Sequence, residues 1–155
     1  MNENVNLTEG YSYLVKETVR FINKYFEGII PAGRVEEDIY WKTKELYNQV
    51  QALLICNRRQ DVAALLEEYL AYALTYYKSG NLWEIVETDR RSCRNIVLNS
   101  IQMMVNLTVL LETLDFEPAK NISSWLNLSK EWQVHRLCSG SELPKEMPKN
   151  FSEKN

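Results

Sequence analysis

The sequence predicts an all-α protein, an antiparallel helical bundle of four main helices plus a short C-terminal helix and a disordered tail. Three observations point there. Chain breakers are scarce: the 155 residues include 5 Gly and 4 Pro, too few for the turn every ~8–12 residues that an all-β chain needs. Apolar residues make up 45% of the chain, enough to fill the core of one domain of this length. Those residues recur at i, i+3/i+4 and i+7, the rhythm of a buried helix face.

Each element follows from that rhythm. Helix 1 is expected from Thr8 to about Glu27, with Tyr11, Leu14, Val15, Thr18 and Ile22 on one face. Gly28 to Arg34, which contains Pro31 and Gly33, reads as a loop. Helix 2 is expected from Val35 to Asn57; its acidic first turn (Glu36, Glu37, Asp38) suits the positive end of the helix dipole. Helix 3 is expected from Asp61, as cap, to Ser79. Gly80 follows as a left-handed terminator, and Asn81 opens the next element. Helix 4 is expected from Leu82 to Leu114, with a bend near Asp89–Ser92, because Asn81 to Glu117 contains neither Gly nor Pro. It carries two apolar stripes, so partners are expected on both sides. Pro118 ends that run, and a fifth helix with Trp125 and Trp132 is expected from Ile122 to Cys138. The domain reading is a flexible N-terminus at 1–7, one bundle domain at 8–138 and a disordered tail at 139–155, where Ser, Gly, Pro, Lys and Glu dominate.

Composition narrows the function classes. The formal net charge is −3, whereas a dedicated nucleic-acid binder usually shows a basic domain or stripe. Nucleic acid is therefore not expected as a partner. Cys56, Cys93 and Cys138 have no close spacing and meet a single histidine, so no zinc site and no cofactor is expected. Free thiols and the lack of a secretory signal at Met1 imply the cytoplasm. On the same ground, the five Asn-x-Ser/Thr triplets are expected as caps and surface groups rather than glycan acceptors. Ile96–Leu114 has 12 apolar residues in 19, but Asn99, Gln102, Asn106 and Glu112 interrupt it. It reads as a core helix, and no membrane is expected.

Four constellations could carry chemistry. Glu67, Glu68, Glu84, Glu87 and Asp89 are helical carboxylates that could hold Mg²⁺ between helices. This set loosely resembles the Glu-rich motifs of all-α nucleotide pyrophosphatases. It departs from them at Ala71 and Arg90, where that family's pattern has acids. Solvated helix faces are the plainer reading. Arg90, Arg91 and Arg94, with Arg58 and Arg59, could hold phosphate, although Glu84, Glu87 and Asp89 stand beside the first three. His135 and Cys138 stand i, i+3 on the expected last helix, without a third group to orient them. Tyr69, Tyr72, Tyr76, Tyr77 and Trp83 could line a pocket or an interface.

No catalytic constellation is complete. The chain therefore reads as a non-enzymatic protein-interaction or regulatory module. Tyr72, Tyr76, Trp83, Arg90, Arg91 and Arg94 are its expected contact residues, with a protein partner and self-association as a homodimer. A metal-dependent nucleotide hydrolase and a nucleic-acid-associated helical subunit are the alternatives.

Overall fold

A computed structural model describes residues 6–129 and 131–148. The architecture is all-helical, as the apolar rhythm predicts. Helix α1 (Leu7–Phe26) is capped by Asn6, whose side-chain oxygen accepts the Glu9 N–H at 3.1 Å. It buries Tyr11, Leu14, Val15, Thr18, Val19, Phe21 and Ile22. Glu27 and Gly28 then turn left-handed (φ 56° and 77°) to end it. Helices α2 (Glu37–Ile55) and α3 (Arg59–Ser79) form an antiparallel pair. Asp61 lies inside the first turn of α3, paired with Arg58, rather than capping it. Thr43 and Tyr69 join the pair through a 2.6 Å hydroxyl bond.

The expected left-handed residue after α3 is Asn81 (φ 51°), not Gly80. Gly80 serves close approach instead: a Cβ there would sit 2.9 Å from the Ile96 side chain. The expected bend near Asp89–Ser92 is a full break. A single turn, α4 (Leu82–Ile85), precedes the central helix α5 (Arg90–Leu111). Asp89 caps α5 by accepting the Ser92 N–H at 3.2 Å. A 3-10 turn (Glu112–Leu114) and left-handed Asp115 close it.

Helix α5 is the core. Every residue from Val97 to Leu111 is buried. It packs against α1, α2, α3, α4 and the last helix, α6 (Glu117–Leu126). By length and composition it could cross a membrane (mean hydropathy 1.4), but 83% of that window is buried in the bundle. Both of its apolar stripes are covered within one chain.

The C-terminal third departs from expectation. Pro118 sits in the first turn of α6, where its missing N–H costs nothing, instead of merely ending the run before it. Left-handed Asn127 (φ 56°) stops α6, and residues 131–138 have no regular helix. The expected helix through Cys138 is thus replaced by extended chain held by α5. The Asn106 amide accepts the His135 N–H at 2.6 Å and donates to the His135 carbonyl at 3.0 Å. Gln102 treats Leu137 the same way, at 3.0 and 2.9 Å. Four helical residues rise about 6 Å, close to the ~6.6 Å repeat of alternate strand residues. Two amides one turn apart therefore fit an extended segment.

The same device holds the α1–α2 loop. Asn95 accepts the Arg34 N–H at 2.8 Å. Asn99 accepts the Glu36 N–H at 2.9 Å and donates to the Arg34 carbonyl at 2.8 Å. A Cβ at Gly33 would stand 2.8 Å from the Asn95 side-chain oxygen, so this loop tolerates no larger residue without moving.

Residues 139–148, expected within a disordered tail, also dock. Ile30 N–H donates to Ser141, Gly140 N–H to Ile30 and Leu143 N–H to Gly28, at 2.7–2.8 Å. Leu143 is buried, and the Trp125 indole donates to the Glu146 carbonyl at 2.6 Å. Main-chain pairing, which composition does not encode, anchors this stretch. The rest of the expected tail, 149–155, and most of the expected flexible N-terminus, 1–5, lie outside the described residues.

Two outcomes follow. Replacing Asn106 by Leu keeps the volume but strands the His135 N–H and carbonyl. Such orphaned groups cost about 1–3 kcal/mol each, so urea denaturation should show a lower midpoint, and limited proteolysis should open at 131–138. Asp89 tests the cap. Hydrogen bonds from the Ser92 side chain and N–H hold its carboxyl below the ordinary value of 3.8. A depressed folded pKa stabilises above the unfolded value, and that stability is lost as pH falls through the folded one. Asp89→Ala should therefore melt below the parent at pH 7, with the gap closing under pH 3.8.

Candidate nucleic-acid interface

One rim of the bundle, made by α1, the C-terminal end of α3, α4 and the first turn of α5, concentrates cations on aromatic rings. Helical spacing sets it up. Tyr13, Arg20 and Lys24 fall outside the buried stripe of α1, while Phe21 points inward and Tyr25 is half-buried. The left-handed turn at Asn81 swings Trp83 back over α1. There its ring meets Phe21 edge-on at 4.9 Å and Tyr25 at 5.5 Å. Trp83 remains 39% exposed and Tyr13 41%, so each offers a ring face to solvent.

Four cations lie over rings on this rim: Arg20 on Trp83 at 5.4 Å, Lys78 on Tyr13 at 5.0 Å, Lys24 on Tyr25 at 5.7 Å and Arg90 on Phe26 at 4.8 Å. Arg90 also donates to the Tyr25 carbonyl at 2.7 Å. Among the acids of this rim, Glu17 is engaged by Arg20 at 3.5 Å and by the Tyr77 hydroxyl at 3.4 Å. Burial pushes the Tyr77 hydroxyl well above its ordinary range, and Glu17 adds to that. Tyr77 therefore stays a neutral donor. Exposed rings beside cations form a platform on which unpaired bases stack while the cations meet phosphate.

Of the residues singled out in the sequence, Trp83 and Arg90 belong to this rim. Arg91 is exposed and Arg94 half-buried on the same first turns of α5. None of the ion pairs among the described residues joins them to Glu84, Glu87 or Asp89. Tyr72 and Tyr76 lie elsewhere on α3. Tyr72 packs on Tyr69 under Lys42, and Tyr76 donates to Glu36 at 2.8 Å. The tyrosines therefore do not form one pocket; successive positions of α3 send them to α2 and to α1. Tyr13, Arg20, Lys24 and Lys78 escaped sequence reading because each is a solitary surface residue until α1 and α3 pair.

The other constellations do not assemble. Glu67 and Glu68 stay on α3 and Glu84, Glu87 and Asp89 beyond its end. Among the described residues no group of three His, Cys, Asp or Glu side chains converges. The His135 ring nitrogens face the Gln133 and Ser129 carbonyls at 2.7 and 3.1 Å rather than Cys138. Cys93 is buried, and that burial raises its thiol pKa, whereas Cys56 is exposed. Arg58 is committed to Asp61 and Arg59 donates to the Thr113 carbonyl at 3.1 Å.

No protein-family profile matches the chain. It is 26% identical over 143 residues to methionine–tRNA ligase 1 of Alkaliphilus oremlandii, covering 92% of this chain and 26% of that protein. It is 28% identical over 110 residues to a methionine–tRNA ligase of Streptococcus pneumoniae, covering 71% and 20%. A methionine–tRNA ligase of Methanothrix thermoacetophila matches at 25% over 131 residues, covering 83% and 19%. The chain thus spans about a quarter or less of the length of these relatives. Its fold superposes on methionyl-tRNA synthetase of Mycobacterium tuberculosis with a TM-score of 0.78 in the free state and 0.80 with methionyl-adenylate. Each superposition has 15% identity and covers 91–92% of this chain and 31% of that one. At that identity the likeness establishes the fold. The sequence matches overturn the reading as a non-enzymatic interaction or regulatory module, together with the expectation that nucleic acid is no partner. Net charge is a weak guide to such a partner, because cations gathered at one place act locally whatever the total.

The rim itself can be tested. Arg20 is exposed, so Arg20→Ala should cost under about 1 kcal/mol. Trp83→Ala removes two ring contacts and should cost about 1–3 kcal/mol. Urea denaturation checks both values.

Proposed function

We propose that this chain is a tRNA-contacting helical unit of the methionine–tRNA ligase kind, and that the α1–α4 rim holds the RNA. The carrying observation is the edge-on packing of Trp83 against Phe21 and Tyr25 with Arg20 over its ring, and Lys78 on Tyr13 beside it. The names and coverage of the relatives support the same reading. Exposed rings and separate cations suit a folded RNA that offers unpaired bases and phosphates together; such loops are where proteins read RNA. The share of the relatives' work assigned here is binding, since the chain offers rings and cations rather than a converged catalytic group. A cytoplasmic location goes with that role.

Fluorescence anisotropy with a labelled methionine tRNA transcript tests it. Binding should weaken steeply between 50 and 200 mM salt, a range over which phosphate contacts dominate the response (roughly 10³–10⁵-fold for 6–10 contacts). Arg20→Glu or Lys78→Glu should each lower the slope of log K against log salt by about 1. Trp83→Ala should weaken binding and leave that slope unchanged. Salt-independent binding, or none at micromolar protein, would refute the proposal.

A further inference from the structure

A second surface lies across the bundle, where the first turns of α2 meet residues 132–136. A cleft of about 660 Å³ opens there. Trp41, 59% exposed, stands on one wall against Tyr40, with rings 5.1 Å apart. Trp132, 37% exposed, stands on the other against Tyr47 at 5.3 Å. Lys44 and Arg136 line the cleft, with one acid, Glu37, among the described lining residues.

The backbone beside this cleft is half-used. In extended chain, the main-chain groups of alternate residues point to opposite edges. His135 and Leu137 give both of theirs to Asn106 and Gln102 on α5. Val134 and Arg136 therefore turn theirs the other way, and both residues line the cleft. Among the described residues no backbone hydrogen bond engages either one. The result is one free edge of strand geometry, made by a side-chain ladder instead of a sheet.

We infer that this edge and the Trp41 cleft dock an extended acidic peptide with apolar side chains, by strand addition at residues 134–136. Main-chain bonds would supply pairing, and alternate side chains would supply specificity. The two free N–H and two free carbonyl groups match an incoming strand. The apolar residues of that strand meet Trp41 and Trp132, and its carboxylates meet Lys44 and Arg136. An RNA would use the rings and cations but leave the carbonyl acceptors idle, so the edge favours peptide.

The probe is a fluorescein-labelled octapeptide of alternating Glu and Val, acetylated and amidated, titrated with the full chain. Saturable binding is expected. It should weaken at least about tenfold when alternating backbone nitrogens are methylated, when Lys replaces Glu, and in Trp41→Ala or Arg136→Glu. Val134→Pro should abolish binding at an unchanged melting temperature, since that N–H has no partner to lose. If Val134→Pro fails to fold, the methylated peptide asks the same question of the unaltered protein. Arg20→Glu should leave peptide binding unchanged, which separates this cleft from the tRNA-contacting rim. Equal affinity for the methylated peptide, no saturation at millimolar peptide, or tight octauridylate binding that Trp41→Ala removes would each overturn the inference.

Discussion

Two pairs of amides on α5 organise this molecule. Asn95 with Asn99 and Gln102 with Asn106 each stand one helical turn apart, and each pair grips an extended segment. Burying Asn99, Gln102 and Asn106 in the central helix, with Asn95 half-buried, would be costly if they were unpaired. Here they satisfy main-chain groups that would otherwise lie orphaned against the core. The first pair pins the α1–α2 loop and so sets the direction in which α2 leaves. The second pins 135–137 and delivers the following residues to Gly28 and Ile30, where they close over the end of α1.

Wrapping the central helix on every side has a consequence for the surface. Once α5 is covered within a single chain, no long apolar stripe is left for a partner. The exposed rings sit at the edges, where helices end and turns expose their neighbours. Trp83 is placed by the left-handed Asn81 and Trp41 by the start of α2. Chemistry on this bundle is therefore chemistry of edges: rings with one free face and cations close enough to share it. A net charge of −3 coexists with such an edge, because screening confines each charge to about 10 Å at ordinary salt.

The likeness to much longer proteins fits that economy. The bundle's own helices and loops bury α5. Buried residues such as Leu107 and Met104 set the packing. This is how a fold persists at 15% identity to a solved structure.

The amino-acid pattern alone determined the helices and the core. The stripe on α1, the acidic start of α2 and the double apolar face of α5 are local patterns, and each became the predicted element, while the bend expected near Asp89 is a full break. It also singled out Trp83 and Arg90, which the structure places on one rim. Tertiary structure decided the rest. Residues 131–138 have enough apolar spacing to read as helix, yet amides about 30 residues upstream hold them extended. The following stretch reads as tail by composition, yet main-chain bonds to Ile30 and Gly28 anchor it. Tyr13, Arg20 and Lys78 come together only when α1 lies beside α3 and α4. Periodicity reports which face of a segment is apolar; it is silent on distant backbone partners and on cations gathered from different helices, because both exist only after packing.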